Sequence, residues 1–515
     1  MSGTTEKNPG RATSSRFNEI CLVALVAVAV FALAFSLVIG RGLHRDEHQH
    51  VAAGTLLARN WLLPYQDYPF FHMPYLAFIY GGIFIFSDHL FFSARIFSIL
   101  CATTAAALIF SVSRRIFRES AGRLLAPFGA VLLFVTTSQF THTTGHAWNQ
   151  EPAMLCALLF FLAYVAGLRS PRPGLWIFTA GLLVGLGSGI RLTLAPLGGA
   201  LILMLAFFPP AVGERRRFFQ LAALGLALGL LPAFILFTQA PGQFLFGNVE
   251  FVRINDLYLQ SIHGTITFVR KLGYAGREIL LNMPLFTAFV GSTIIAFLHA
   301  RATDGRLPRE LKILFLMFPF LLMGVLAPSP MYRQYFYPLV SFLVLGGVYA
   351  VAAVANSKAW WKGSIVICAA GVVVSTIFSM SPYRHLREFG SPGEWEPLQV
   401  HDGARQMLAP VPADGRVLTL GPIWPLEARR SIYPELATGP FAWRITSFVA
   451  EDRHARLKLI NLSALEKRML TDPPDAFLFG DEQYLDPPLK TFAEAHGYAR
   501  VATFDSYELW VRSTR

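Results

Sequence analysis

Asp46 and Glu47 stand side by side in His44-Arg45-Asp46-Glu47-His48, just past the first long apolar run, Glu19–Gly40. That run is close to the ~20 residues a helix needs to cross a bilayer, so an acidic pair emerges at the lipid boundary. Charges there are costly and are usually kept for chemistry or for pairing; the bland alternative is a solvated interfacial turn. Adjacent helical residues point in different directions, so the two carboxylates do not serve one bond as acid and base. One can act as general base, its pKa raised by partial burial at the membrane edge, while the other orients the substrate or helps hold a metal. His44 and His48 are spaced i, i+4, but the His-Glu-x-x-His pattern of zinc hydrolases is missing. A divalent metal therefore stays possible, with Glu47 and His263 as its candidates, and no other cofactor is implied.

Further candidates follow along the chain. Pro64-Tyr65-Gln66-Asp67-Tyr68-Pro69 and His72-Met73-Pro74-Tyr75 read either as a Pro-punctuated turn or as Tyr65, Asp67 and His72 gathered beside the acidic pair to bind polar substrate groups. His142, His146, Trp148, Asn149, Gln150 and Glu151 form a second polar cluster, in which Glu151 before Pro152 also suits a helix start. Arg191 interrupts a long apolar stretch, and Tyr332-Arg333 precedes Tyr335 and Tyr337. A guanidinium binds phosphate bidentately and keeps its charge at membrane depth; snorkelling to lipid headgroups is the plainer account. Arg253, Asn255, Asp256, His263, Arg270, Lys271 and Arg277 lie in one long loop without a motif.

These residues need elements to hold them, and composition says what kind. The chain is 54% apolar and 15% charged, against about 25% charged in soluble domains. That defines a polytopic α-helical membrane protein. About eleven apolar runs reach or approach spanning length: Glu19–Gly40, Leu90–Val112, Leu124–Phe140, Pro152–Leu168, Leu175–Gly189, Leu192–Phe208, Phe218–Thr238, Met283–Ala300, Leu311–Ala327, Gln334–Val354 and Gly363–Met380. Segment His50–Phe86 is aromatic and amphipathic and is expected to lie along the interface. The net charge of +12 is spread over loops rather than gathered in a stripe, which excludes nucleic acid as a partner. With residues 1–18 cytoplasmic, alternate loops carry Arg114, Arg115, Arg118 and Arg123, then Arg169 and Arg172, then Arg215–Arg217, then Arg301, Arg306, Arg309 and Lys312, then Lys358 and Lys362. This is the positive-inside bias. Domain 19–380 then spans the membrane, with outer loops 41–89 and 239–282, and every candidate above falls on the outer face. The Pro- and charge-rich tail, 381–515, has strand-like runs at Arg416–Leu420, Ala476–Phe479 and Tyr507–Val511, and helical patterns near Leu457–Leu470 and Leu489–Ala495. It is expected to be a small extracytoplasmic α/β domain. The four cysteines, Cys21, Cys101, Cys156 and Cys368, sit in apolar runs and imply neither a disulfide framework nor a metal site.

This layout resembles the GT-C superfamily of membrane glycosyltransferases, in particular the protein-mannosyltransferase-like branch that includes lipid A aminoarabinose transferases. The resemblance rests on four places in order: Asp46-Glu47 with His50–Gly54; Tyr65-Gln66-Asp67 with His72-Met73-Pro74; Gly181-Leu182-Leu183-Val184-Gly185-Leu186 leading to Arg191; and Arg333-Gln334-Tyr335 with Tyr337-Pro338. It implies a sugar donor on polyprenyl phosphate and transfer to a lipid, glycan or protein acceptor by inverting displacement in a bacterial inner membrane. Asp46 would be the base, Glu47 would orient the acceptor or help hold a metal, and Arg191 and Arg333 would stabilise the departing phosphate. The chain departs from the family pattern at Glu151, where Asp is common, and at His72-Met73-Pro74-Tyr75. The principal alternative is a non-catalytic transporter or flippase of lipid-linked sugar. Its charged groups would be expected near the bilayer midplane, whereas these gather at one surface.

Overall fold

The computed structural model describes residues 9–120, 122–264 and 267–512; the first eight residues of the polar segment 1–18 lie outside them. Eight helices among the described residues are long and apolar enough to cross a membrane: Phe17–Ile39, Leu90–Ile116, Gln150–Gly167, Pro173–Ile190, Val212–Gln239, Met283–Ala302, Arg333–Ala353 and Lys358–Ser379. Three of the eleven expected runs fall short of that standard, each for a local reason. Leu125–Val135 has 11 residues, because Thr137 caps a separate short helix, Ser138–Thr143. The run from Leu192 starts as a 3-10 turn and restarts as a helix at Leu197, after Pro196. Arg309–Leu326 reaches 18 residues but opens on three charged side chains, Arg309, Glu310 and Lys312, and contains Pro319.

Gln150–Gly167 and Arg333–Ala353 are the most enclosed of the long helices, with 72% and 83% of their apolar windows buried, so they form the centre of the bundle. Helices Pro173–Ile190 and Arg215–Gln239 touch through Gly181 and Gly185 on one side and Gly225 and Gly229 on the other. A Cβ on Gly181 would stand 2.1 Å from the Ala222 carbonyl oxygen, and one on Gly225 would stand 2.1 Å from that of Phe178. Small residues four apart let two backbones meet, and this contact fixes the helix that ends at Arg191.

The segments between spans are helical as well. Arg45–Asn60 and Tyr75–Phe84 flank the Pro64–Pro69 turn. The expected outer loop 239–282 contains the helices Phe251–His263 and Phe268–Leu281.

The C-terminal region builds a five-stranded sheet from β1 (Arg416–Thr419), β2 (Ser431–Ile432), β3 (Ala476–Phe479), β4 (Tyr498–Phe504) and β5 (Tyr507–Arg512), in the order β2-β1-β3-β5-β4. The first three strands are parallel, with Val417 opposite Ala476; β5 runs antiparallel to β3, with Phe477 opposite Trp510. The sheet region grips the helix Arg45–Asn60 along its length. His48 Nε2 lies 2.8 Å from Asp481 Oδ1, Arg45 Nη1 lies 3.4 Å from Glu482 Oε1, and Arg59 Nη1 donates to the Leu426 carbonyl at 2.7 Å.

Candidate active site

The two adjacent carboxylates part company at the start of helix Arg45–Asn60. Glu47 is fully buried and accepts from Arg95 Nε at 2.9 Å and Nη2 at 2.8 Å. Arg95 spends its other N–H groups on the Val38, Arg41 and Gly42 carbonyls, so all five guanidinium donors are satisfied. Glu47 also accepts from the Ala147 N–H at 2.6 Å and closes a capping box through the His44 N–H at 2.9 Å. Burial alone would raise its pKa; the Arg95 guanidinium and these hydrogen bonds hold it well below the usual carboxylate range. The knot ties together the end of the first span, the start of Arg45–Asn60, the span carrying Arg95 and the loop at Ala147. Glu47 therefore faces protein, not substrate. The expectation that it orients the acceptor or holds a metal is replaced by this structural role.

Asp46, one residue back, keeps 28% of its side chain exposed and opens onto a small polar cavity of about 90 Å³. Asp46, Gln49 and His50 stand at i, i+3 and i+4, which is one helix face, and all three line it. His72 comes from the following turn, with its ring 4.8 Å from that of His50. Burial lowers both imidazoles, His72 to about 3, so they are neutral hydrogen-bonding groups at pH 7.

Arg191, at the C-cap of Pro173–Ile190, donates to Asn149 Oδ1 at 2.7 Å and to Thr193 Oγ1 at 2.9 Å, and lies over the Tyr335 ring at 4.5 Å. Among the described residues it has no carboxylate partner, and the Tyr335 hydroxyl is its remaining polar neighbour. A second chamber of about 610 Å³ adjoins the first, and Asp46, Trp148, Tyr332, Gln334 and Arg444 line both.

The other expected residues divide. Tyr332 sits at the junction of the chambers. Arg333 lines only the larger one, with its Nε 3.3 Å from Glu278 Oε2 and its Nη2 on Ser138, so its charge is already matched. Tyr65 and Asp67 belong to the turn. Tyr65, in left-handed backbone at φ 69°, hydrogen-bonds the His72 carbonyl and Asn248, while Asp67 accepts the Leu63 N–H at 2.7 Å. Of that trio only His72 lines the same cavity as Asp46. Glu151 is fully buried, lines neither chamber, and neither carboxylate oxygen has a hydrogen-bond partner among the described residues.

Sequence reading missed Arg95, Phe441 and Arg444. A lone arginine inside the apolar run Leu90–Val112 was a signal in itself, since such a charge demands a partner. Phe441 and Arg444 carry no such sign in a charged tail. Among the described residues no three His, Cys, Asp or Glu side chains converge as a metal site. Glu47 is taken by Arg95 and His263 lies on the wall of the larger chamber, so no step below passes through a metal.

Residues 71–237 match the family described as dolichyl-phosphate-mannose-protein mannosyltransferase. Over 96% of the chain, the fold matches that of ArnT from Cupriavidus metallidurans in the apo state, with a TM-score of 0.61, 13% identity and 98% of that chain covered. The structure of the same enzyme bound to undecaprenyl phosphate matches 95% of this chain and 97% of its own, at the same TM-score and identity. The archaeal oligosaccharyltransferase AglB from Archaeoglobus fulgidus, in complex with an inhibitory peptide and a dolichol-phosphate, matches at a TM-score of 0.51 and 11% identity over 96% of this chain and 74% of its own. A search of curated protein sequences finds no match. Over nearly its whole length the chain therefore has the fold of these structures, and residues 71–237 carry the family match.

Proposed function

We propose that the protein transfers a sugar from a polyprenyl-phosphate carrier to an acceptor hydroxyl, with Asp46 as general base. The observation that carries this reading is the pairing, in one cavity, of a partly exposed carboxylate with the guanidinium of Arg191, which has no carboxylate partner among the described residues. In the reaction the acceptor oxygen bonds to the anomeric carbon as the bond from that carbon to the phosphate oxygen breaks. The acceptor proton passes to Asp46, and the electron pair leaves with the lipid phosphate, whose charge grows. A cation held ready where that charge develops lowers the barrier, and Arg191 supplies it. Attack opposite the leaving group inverts the anomeric centre. Neutral His50 and His72, with Gln49 and Asn149, offer donors and acceptors to sugar hydroxyls. The undecaprenyl phosphate bound to the similarly folded ArnT supports the choice of carrier. The basic loops at the opposite ends of the spans support a site on the outer face of a bacterial inner membrane, with the region 381–515 on that same side.

The test is transfer from a polyprenyl-phosphate-linked radiolabelled sugar in membranes bearing wild type or Asp46→Asn. Loss of transfer in the variant, with normal protein level, is expected. Undiminished transfer would remove Asp46 as the base, and movement of intact lipid-linked sugar without cleavage would replace the reading with transport.

A further inference from the structure

Arg444 repeats the environment of Arg191 from a different part of the chain. It stands at the end of the short helix Pro440–Arg444 in the C-terminal region and is 6% exposed. Its Nε and Nη2 both donate to the Asn255 amide oxygen, and its guanidinium lies over the rings of Phe441 at 4.4 Å and Tyr258 at 5.1 Å. Like Arg191, it has an aromatic face beneath it, an asparagine oxygen on one edge, and no carboxylate partner among the described residues. Its Nη1 makes no hydrogen bond to any of them. Its free edge opens to the chambers it lines, where an anion can complete it by a charge-assisted hydrogen bond.

The two arginines differ in access. Arg191 lines only the smaller chamber, while Arg444 stands where the two chambers join. The larger chamber is itself cationic. With Arg45 on Glu482 and Arg333 on Glu278, Arg270, Lys271 and Arg444 face a single lining carboxylate, Asp46. A site built only for the donor's phosphate has no use for a second such cation on the approach side.

We infer that Arg444 forms a second anion subsite, supplied by the C-terminal region, which takes an oxyanion of the acceptor, phosphate or carboxylate, and so sets the acceptor hydroxyl against Asp46. This rests on the proposed transfer reaction and names the chemical class of its acceptor. The subsite requires two anions to be bound at once, one at each arginine.

The experiment uses the purified full chain in nanodiscs, titrated with undecaprenyl phosphate and then, at saturation, with inorganic phosphate, D-glucuronate or glucose as probes. Wild type saturated with the lipid should still bind phosphate or glucuronate and should not bind glucose; whichever anion binds tighter indicates a phosphorylated or a uronic acceptor. Arg444→Gln should weaken that second binding ~10-fold while changing undecaprenyl phosphate affinity less than twofold, Arg444→Lys should restore part of it, and Arg191→Gln should do the reverse. Probe binding abolished by lipid saturation, or Arg444→Gln weakening the lipid as much as Arg191→Gln does, would place both arginines on one phosphate and overturn the inference alone. Failure of wild type to bind undecaprenyl phosphate would instead overturn the proposed reaction. An unfolded Arg444→Gln is recognised by its melting curve, and Arg444→Lys then decides.

Discussion

Two arginines near the start of helix Arg45–Asn60 lead opposite lives. Arg95 is saturated: every N–H has an acceptor, and the carboxylate it meets is bidentate and dry. Arg191 is left open, with an amide oxygen and an aromatic ring in place of a counter-ion. The first arrangement resists change and holds a backbone in place. The second is unfinished until an anion arrives. The same division runs through the adjacent acids, since Glu47 serves the closed site and Asp46 the open one. The closed site gives the open one its aim.

Breaking the closed site should have the largest effect. Arg95→Ala leaves Glu47 buried and unpaired, which costs about 3–5 kcal/mol, enough to be seen as a sharp drop in melting temperature and in protein recovered from membranes. Next comes the open site. Asp46→Asn should lower transfer ~10²–10⁴-fold while moving stability by less than about 0.5 kcal/mol. That split between activity and stability is the mirror of the Arg95 result, and equal losses in both variants would erase the distinction. Arg191→Lys keeps the charge but gives up the planar fork; it should retain more activity than Arg191→Gln, which should lose ~10²-fold in kcat at fixed donor.

A separate effect concerns pH. Burial holds His72, His142 and His146 at about 3, whereas in the unfolded chain they take up protons near ~6.5. The unfolded state thus binds more protons between those values, and stability falls as pH drops from about 6.5 towards 3. Glu47, held low by Arg95, adds to the fall below ~4.5, and Glu278, pushed up by its burial, opposes it. Apparent melting temperature should therefore be lower at pH 5 than at pH 7, and His72→Gln should flatten the difference slightly.

Much of this plan was readable along the chain. Spanning helices announce themselves by length and apolarity, and the spacing of loaded loops at alternate turns put Asp46, His72, Asn149, Arg191 and Tyr332 on one side before any coordinates. The division of labour between Asp46 and Glu47 was only half readable. Their differing directions follow from helical geometry, but which one faces the cavity depends on Arg95, forty-eight residues further on. Tyr65 and Asp67 misled because a turn built from Pro, Tyr and Asp has the same composition as a binding loop. Arg444 could not be found at all, since its meaning comes from a distant asparagine and two aromatic rings. In the sheet region β1, β3 and β5 were signalled by apolar runs; β2 has two residues and β4 is a largely exposed edge strand, so neither leaves a pattern to read.

The grip of Asp481 and Glu482 on His48 and Arg45 bears on how such a protein can diversify. A tail grafted from a cousin would have to arrive with acids at those two places, or the helix it rests on would lose its anchor and tilt the neighbouring aspartate off its mark. The C-terminal region of this chain is consequently not a detachable accessory: it shares two polar contacts with the helix that carries Asp46.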